Sequence, residues 1–166
     1  GSGIMANIRG RNSTTTRRLN ELWRQWALTS ACDYEGRHNF YGLQSLILRS
    51  TAEAGEGLAV KRMTGAGPRI HLLEPDFLAT LQDTLPMVQG IEFGSDGKRV
   101  SYAIYKRHPG DKDATAETVK IPAADVSHVY RQLRAGQVRG VTWAHAVVEK
   151  LKDFEDYQSA TLIRQK

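Results

Sequence analysis

Apolar residues recur along this chain with two different periods, and the change between them divides it into three stretches. Leu19, Leu22, Trp23 and Trp26 stand at i, i+3, i+4 and i+7, the spacing of one face of an amphipathic helix. Arg17, Arg18, Glu21, Arg24 and Gln25 fall on its other sides. Asn12-Ser13-Thr14-Thr15-Thr16 ahead of it offers several N-caps, because short polar side chains accept from the unpaired N–H groups of a first turn. The residues before that, rich in Gly, Ser, Asn and Thr, read as a flexible lead-in over residues 1–15. Asp33-Tyr34-Glu35-Gly36-Arg37 is a turn-rich break. A second helix is predicted from near Asn39 to about Ala54, with Phe40, Leu43 and Ile47 on its buried face and Gly55 and Gly57 ending it.

The period then shortens. Leu58 to Met63 reads as a strand, followed by a Gly65-Ala66-Gly67-Pro68 turn, and Ile70 to Leu73 reads as a second, stopped by Glu74-Pro75-Asp76. Phe77 to Thr84 fits neither period. Ile91 to Phe93 and Val100 to Lys106 flank Ser95-Asp96-Gly97-Lys98, and an Asp-Gly step between two short apolar runs is a strong hairpin signal. Val100, Tyr102, Ile104 and Lys106 share one parity of the second arm. His108 to Asp113 is a loop. Val119 to Pro122 and Val126 to Tyr130 are two more short strands, and Gly136 to Gly140 is a flexible link.

The last stretch, from about Thr142 to Gln165, returns to helical spacing, with Trp143, Val147, Leu151, Phe154 and Leu162 on one broad stripe. Strands grouped between helices predict an α+β fold: an N-terminal helical pair, a small central mostly antiparallel β-sheet, and a long C-terminal helix. Residues 16–166 make a single such domain. Trp23, Trp26, Phe40, Leu43, Ile47, Val147, Leu151 and Phe154 are the expected core.

Composition narrows the class. The chain has 166 residues, 40% hydrophobic and 25% charged, which is ordinary for a globular domain with its own core. No run reaches the ~20 apolar residues of a membrane span, and no secretory h-region is visible. The lone cysteine, Cys32, has no internal disulfide partner and reads as an inert, partly buried thiol. The net charge of +5 weakly favours polyanions. Among the scattered basic residues, Arg131, Arg134 and Arg139 lie in and around a Gly-containing loop ahead of the long helix. A basic loop there is a candidate for phosphate or subunit contact.

Catalytic patterns are missing from the sequence. There is no phosphate-binding G-x-x-x-x-G-K-[ST], no dinucleotide G-x-G-x-x-G after a strand, no H-E-x-x-H, no C-x-x-C and no G-x-S-x-G. The five histidines share no close ligand spacing. No catalytic residue, metal ligand or cofactor site is therefore assigned. Asp33 and Glu35 with a histidine would be the ingredients of a metal-dependent nucleic-acid hydrolase, an alternative from the enzyme class. A basic adaptor domain that binds nucleic acid or protein is an alternative from the binding class.

Ile121-Pro122-Ala123, His128-Val129 and Gly136-Gln137-Val138-Arg139-Gly140-Val141-Thr142-Trp143 stand in that order. Together they resemble the signature of lambda-type bacteriophage portal proteins. Gly3-Ile4, Trp23 and Trp26, Cys32-Asp33, Gly36-Arg37 with Phe40, Gly55-Glu56, Glu74-Pro75-Asp76, Gly90-Ile91-Glu92, Asp96-Gly97, His108-Pro109 and Asp156-Tyr157 with Ala160 agree in order, so the resemblance covers roughly residues 3–165. Gly57 departs from the family's direct passage into apolar strand residues, and Ala144-His145-Ala146 lacks a proline often found there. Family members are several times longer, so the resemblance implies a fragment of a longer chain.

It further implies a structural subunit, not an enzyme. Such subunits form a dodecameric ring at one vertex of the virion capsid, assembled in the host cytoplasm. The ring passes double-stranded DNA and meets terminase, scaffold and capsid proteins, and head-completion proteins. Non-specific backbone contacts with DNA would suffice for that task.

Overall fold

The computed structural model describes residues 3–80 and 86–164. Among the described residues, three α-helices and seven strands are arranged as α1 (Ser13–Ala27), α2 (Phe40–Glu53), β1 (Glu56–Thr64), β2 (Gly67–Leu73), β3 (Met87–Val88), β4 (Ile91–Phe93), β5 (Arg99–Tyr105), β6 (Thr118–Pro122), β7 (Val126–Tyr130) and α3 (His145–Arg164). The fold is α+β with antiparallel strand pairing throughout the named ladders. The strands divide into two sheets. One is three-stranded in the order β2-β1-β7, and the other is four-stranded in the order β3-β4-β5-β6.

Local chemistry sets the boundaries. Asn12 is the cap that wins among the polar run: its side-chain oxygen accepts from the Thr15 N–H at 2.8 Å, so α1 starts at Ser13. Asn39 does the same for α2 through the Gly42 N–H at 2.9 Å. The stretch before α1, expected to be flexible, is held by several hydrogen bonds, among them the Gly10 N–H donating to Thr16 Oγ1 at 3.0 Å. Ile4 exchanges two hydrogen bonds with the Gln44 side chain, and the Ile8 carbonyl accepts from Asn20. The Asp96-Gly97 hairpin forms between β4 and β5 as expected, with Ile91 opposite Tyr102. Of the unassigned stretch 77–84, residues 81–84 lie outside the described residues. Pro75–Phe77 is a single 3-10 turn.

The core lies where the two sheets meet. Leu58, Val60 and Leu73 from the first sheet pack with Ile91, Tyr102, Ile104 and Ile121 from the second, and Leu78 joins them from the connecting segment. The chain passes from the second sheet to the first through Ile121-Pro122-Ala123. Ile121 is buried, Pro122 ends β6, and a 3-10 turn over Ala123–Asp125 leads into β7.

The expected core is partly displaced. Leu43 is buried as predicted. Trp23, Trp26 and Phe40 are half-buried and form one aromatic cluster, with centroids 5.2 to 5.6 Å apart. Trp26 anchors it by donating from Nε1 to the Pro68 carbonyl at 2.7 Å. Ile47 is half-buried beneath β1. Val147, Leu151 and Phe154 are not core: they are 46%, 61% and 55% exposed. Periodicity marks the face of α3 that calls for cover but does not supply the cover, and none of the described elements sits on it. The side chain of Leu162 lies outside the described residues.

These placements predict different responses to truncation. Leu58→Ala should lower the unfolding free energy by about 3 kcal/mol, as for a large-to-small change in a closed core. Val147→Ala should change it by less than about 0.5 kcal/mol, as for an exposed site. Urea denaturation of the two variants checks the difference; equal losses would return α3 to the core.

Candidate functional site

The residues carrying the family resemblance converge on one buried carboxylate. Glu56 shares strand parity with Leu58 and Val60, so its side chain faces inward and is almost wholly buried. Opposite it, β7 presents Val126, His128 and Tyr130 on one parity, with Leu58 paired to His128 and Glu56 to Tyr130. An inward carboxylate at such a position requires compensation. Three donors supply it: His128 Nε2 at 2.8 Å from Oε2, the Gly140 N–H at 2.6 Å from Oε2, and Arg139 Nε at 2.6 Å from Oε1. Arg139 Nη2 also contacts Oε1. Burial alone would raise the Glu56 carboxyl, but the hydrogen bonds from His128, Arg139 and Gly140 and the Arg139 charge outweigh it. The carboxyl is held down at about 2.

A second cation extends the network across the sheets. Arg99 of β5 donates to Tyr102 Oη at 3.1 Å, Tyr130 Oη at 2.6 Å and the Val138 carbonyl at 3.0 Å. It also lies 3.3 Å from His128 Nδ1. An arginine has only donors. His128 Nδ1 therefore accepts, and the ring proton sits on Nε2, toward Glu56. Tyr130 in turn donates its own hydroxyl hydrogen bond to the Gln137 carbonyl at 3.0 Å. Two sheets and one loop are thus bound into a single polar cluster.

The Gly-Gln-Val-Arg-Gly run is the clasp of that loop. Gln137 Oε1 accepts from the Leu133 N–H at 2.7 Å, and its Nε2 donates to the Arg139 carbonyl at 2.7 Å. Gly140 has no room for a side chain, since an added Cβ would meet the Gly55 carbonyl oxygen. Gly55, at φ 92°, adopts a backbone conformation suited to glycine, and a Cβ there would strike Val141. Gly57, the departure from the family pattern, lies where α2 crowds β1: a Cβ would stand 2.8 Å from Ile47 Cγ1. The Trp143 N–H donates to the Ala52 carbonyl at 3.1 Å while its ring stays exposed.

The three candidate arginines part company in this geometry. Arg139 is engaged by Glu56, and its remaining donors reach the Gln89 and Pro75 carbonyls. Arg131 and Arg134 are exposed on the loop, and no carboxylate among the described residues lies within 4.0 Å of either. Glu56, His128, Arg99 and Tyr130 were not singled out as a group by sequence reading. The available signal was the inward parity of Glu56 and His128 on their strands.

Two other groupings bear on chemistry. Asp33, buried, accepts backbone N–H groups from Glu35 at 3.0 Å, Arg37 at 2.8 Å and His38 at 2.8 Å. Burial pushes its carboxyl up, but these hydrogen bonds prevail and hold it below its ordinary range. It staples a loop and has little capacity left for a metal. Beside it, Cys32 is fully buried, and burial pushes its thiol up, away from the reactive thiolate. Glu74, Asp76 and His108 form the second grouping, with ligand atoms within 4.8 Å of one another. His108 Nδ1 accepts from the Gly110 N–H at 3.0 Å. Its proton therefore sits on Nε2, which leaves no lone pair there for a metal in this loop conformation.

The whole chain, residues 1–166, matches the family described as phage portal protein, lambda family. The chain belongs to that family. It is similar to the probable portal protein of Halomonas phage phiHAP-1, with 28% identity over 158 residues covering 87% of this chain and 30% of that protein. It thus spans under a third of that relative's length. In this portal-family chain, the signature residues hold the fold together at the junction of β1, β7 and the following loop. No helix among the described residues is long and apolar enough to cross a membrane.

The clasp makes stability depend on acid. A carboxyl lowered from 4.5 to about 2 on folding contributes about 3 kcal/mol above its unfolded value. That contribution is lost as pH falls from about 4.5 toward 2. Glu56→Gln should lower stability at pH 7 by about 3 kcal/mol, because it leaves Arg139 buried beside a neutral group. It should also flatten the acid limb between those pH values. Denaturant unfolding at stepped pH measures both effects, and an unchanged acid limb would remove Glu56 as its source.

Proposed function

We propose that this chain is part of a structural subunit of a phage portal, the ring at one capsid vertex through which double-stranded DNA enters and leaves the virion. The observation that carries this reading is the family match along the whole chain. Residues 16–166 act as one α+β piece of the longer subunit. Twelve such subunits close the ring in the host cytoplasm, and the assembled portal meets terminase, scaffold and capsid proteins, and later head-completion proteins. The subunit carries out no chemistry of its own and uses no cofactor or metal. The buried, backbone-bonded Asp33 counts against the hydrolase alternative, since a catalytic carboxylate needs an accessible oxygen.

The different surroundings of the candidate contacts support different tasks for them. Arg131 and Arg134 present charge outward for DNA or a neighbouring subunit, while Arg139 holds their loop in place from behind through Glu56. Any contact with DNA would be sequence-independent and would weaken steeply with salt, because phosphate neutralisation releases counterions. A basic adaptor would share that salt dependence but not a closed assembly.

Negative-stain electron microscopy of the full-length parent protein, with rotational averaging of end-on views, tests the reading. Closed twelve-fold rings with a central channel are the expected result. Monomers or dimers at every salt concentration would overturn it in favour of the adaptor.

A further inference from the structure

The first sheet ends in opposite charge on its two edges. Its outer strands are β2 and β7, with β1 between them. Leu73, the last residue of β2, pairs with Leu58, and Tyr130, the last of β7, pairs with Glu56. Both outer strands therefore finish at the same end of the sheet. Beyond β2 come Glu74 and Asp76, each with a side chain 71% exposed. Their nearest ionic neighbour is His108, at 3.5 and 4.0 Å, and no lysine or arginine among the described residues comes within 4.0 Å of either. Beyond β7 come Arg131 and Arg134, exposed and without an acidic partner among the described residues.

The apolar pattern matches the charge pattern. Glu74 and Asp76 border a cleft of about 640 Å³ in which Leu46, Ile47, Leu72 and Phe77 stand beside the charged Glu35, Arg49 and Glu53. Both buried side-chain nitrogens that lack a hydrogen bond among the described residues, His71 Nδ1 and His108 Nε2, belong to residues of this lining. On the other edge, Leu133 stands 59% exposed between the two arginines. One edge is thus acid beside a partly apolar cleft; the other is base around an exposed leucine.

We propose that the loop of residues 131–134 docks into this cleft on a second copy of the chain. Leu133 enters the apolar lining, and Arg131 and Arg134 pair with Glu74 and Asp76. The contact joins two different faces, so it repeats head to tail and closes by rotation. It rests on the portal reading above and names the surface by which neighbours meet. Placing Leu133 in the cleft, and giving Glu74 and Asp76 the lysine or arginine partners they lack among the described residues, accounts for features that a DNA contact leaves unexplained, since DNA would engage the arginines alone.

The test uses the full-length protein in two forms, R131E/R134E and E74K/D76K. All four positions are on the surface, so both forms should fold, and thermal unfolding verifies that. Ring formation is followed by electron microscopy and sedimentation against protein concentration. Each form alone should need at least tenfold more protein than the wild type for half-assembly. Mixing the two should restore assembly to within threefold, because the acidic loop of one now fits the basic cleft of the other. Leu133→Asp should impair assembly without rescue by either form. Wild-type rings with reversed forms that assemble normally, or that fail to rescue each other, would overturn this contact and leave the portal reading standing. Normal assembly with lost DNA retention in R131E/R134E would assign the loop to DNA instead. Absence of rings from the wild type would overturn both.

Discussion

The rest of the structure depends on one buried carboxylate having enough donors. Glu56 sits at the start of the central strand of the first sheet, where it would be intolerable alone. Its requirement draws in His128 from the neighbouring strand and both Arg139 and Gly140 from a loop distant in sequence. His128 in turn fixes its proton by meeting Arg99, which belongs to the other sheet. Apolar packing brings the sheets together, but it is indifferent to small rotations and slides. The polar cluster is directional, and it selects one relation of sheet, sheet and loop.

The same cluster accounts for what the family signature encodes. Gly140 is small because its backbone touches that of Gly55, and Gln137 is an amide because it must accept at one end and donate at the other. Arg139 is a cation because Glu56 is an anion. The signature is a description of how a loop is fastened.

Much of the fold was legible in the residue pattern, because its elements announce themselves locally. Asn12 and Asn39 cap helices through their own side chains, and Asp96-Gly97 makes its hairpin without help from afar. The division into two sheets was not legible, since strand order is decided by which apolar faces meet. The stripe on α3 illustrates the same limit. Val147, Leu151 and Phe154 advertise burial by their spacing, yet spacing carries no information about a partner. At the site, Arg131, Arg134 and Arg139 looked alike in sequence, and only the position of Glu56 separates the inward one from the outward two. Glu56 itself stands between the two glycines that end the second helix, and only its parity with Leu58 and Val60 marks it as buried.

That long reach has a consequence for the way the chain is made. Arg139 follows Glu56 by 83 residues. At a synthesis rate of roughly 5–20 residues per second, the carboxylate waits on the order of 4 to 17 seconds for its main counter-ion to leave the ribosome. During that time β1 has β2 beside it but its other edge is bare, since β7 also comes late. A bare strand edge is a template for any extended segment nearby, including the same edge on a chain emerging from the next ribosome. Being charged and hydrated until its partners arrive, Glu56 discourages that premature pairing. The residue that locks the finished sheet therefore also protects the unfinished one.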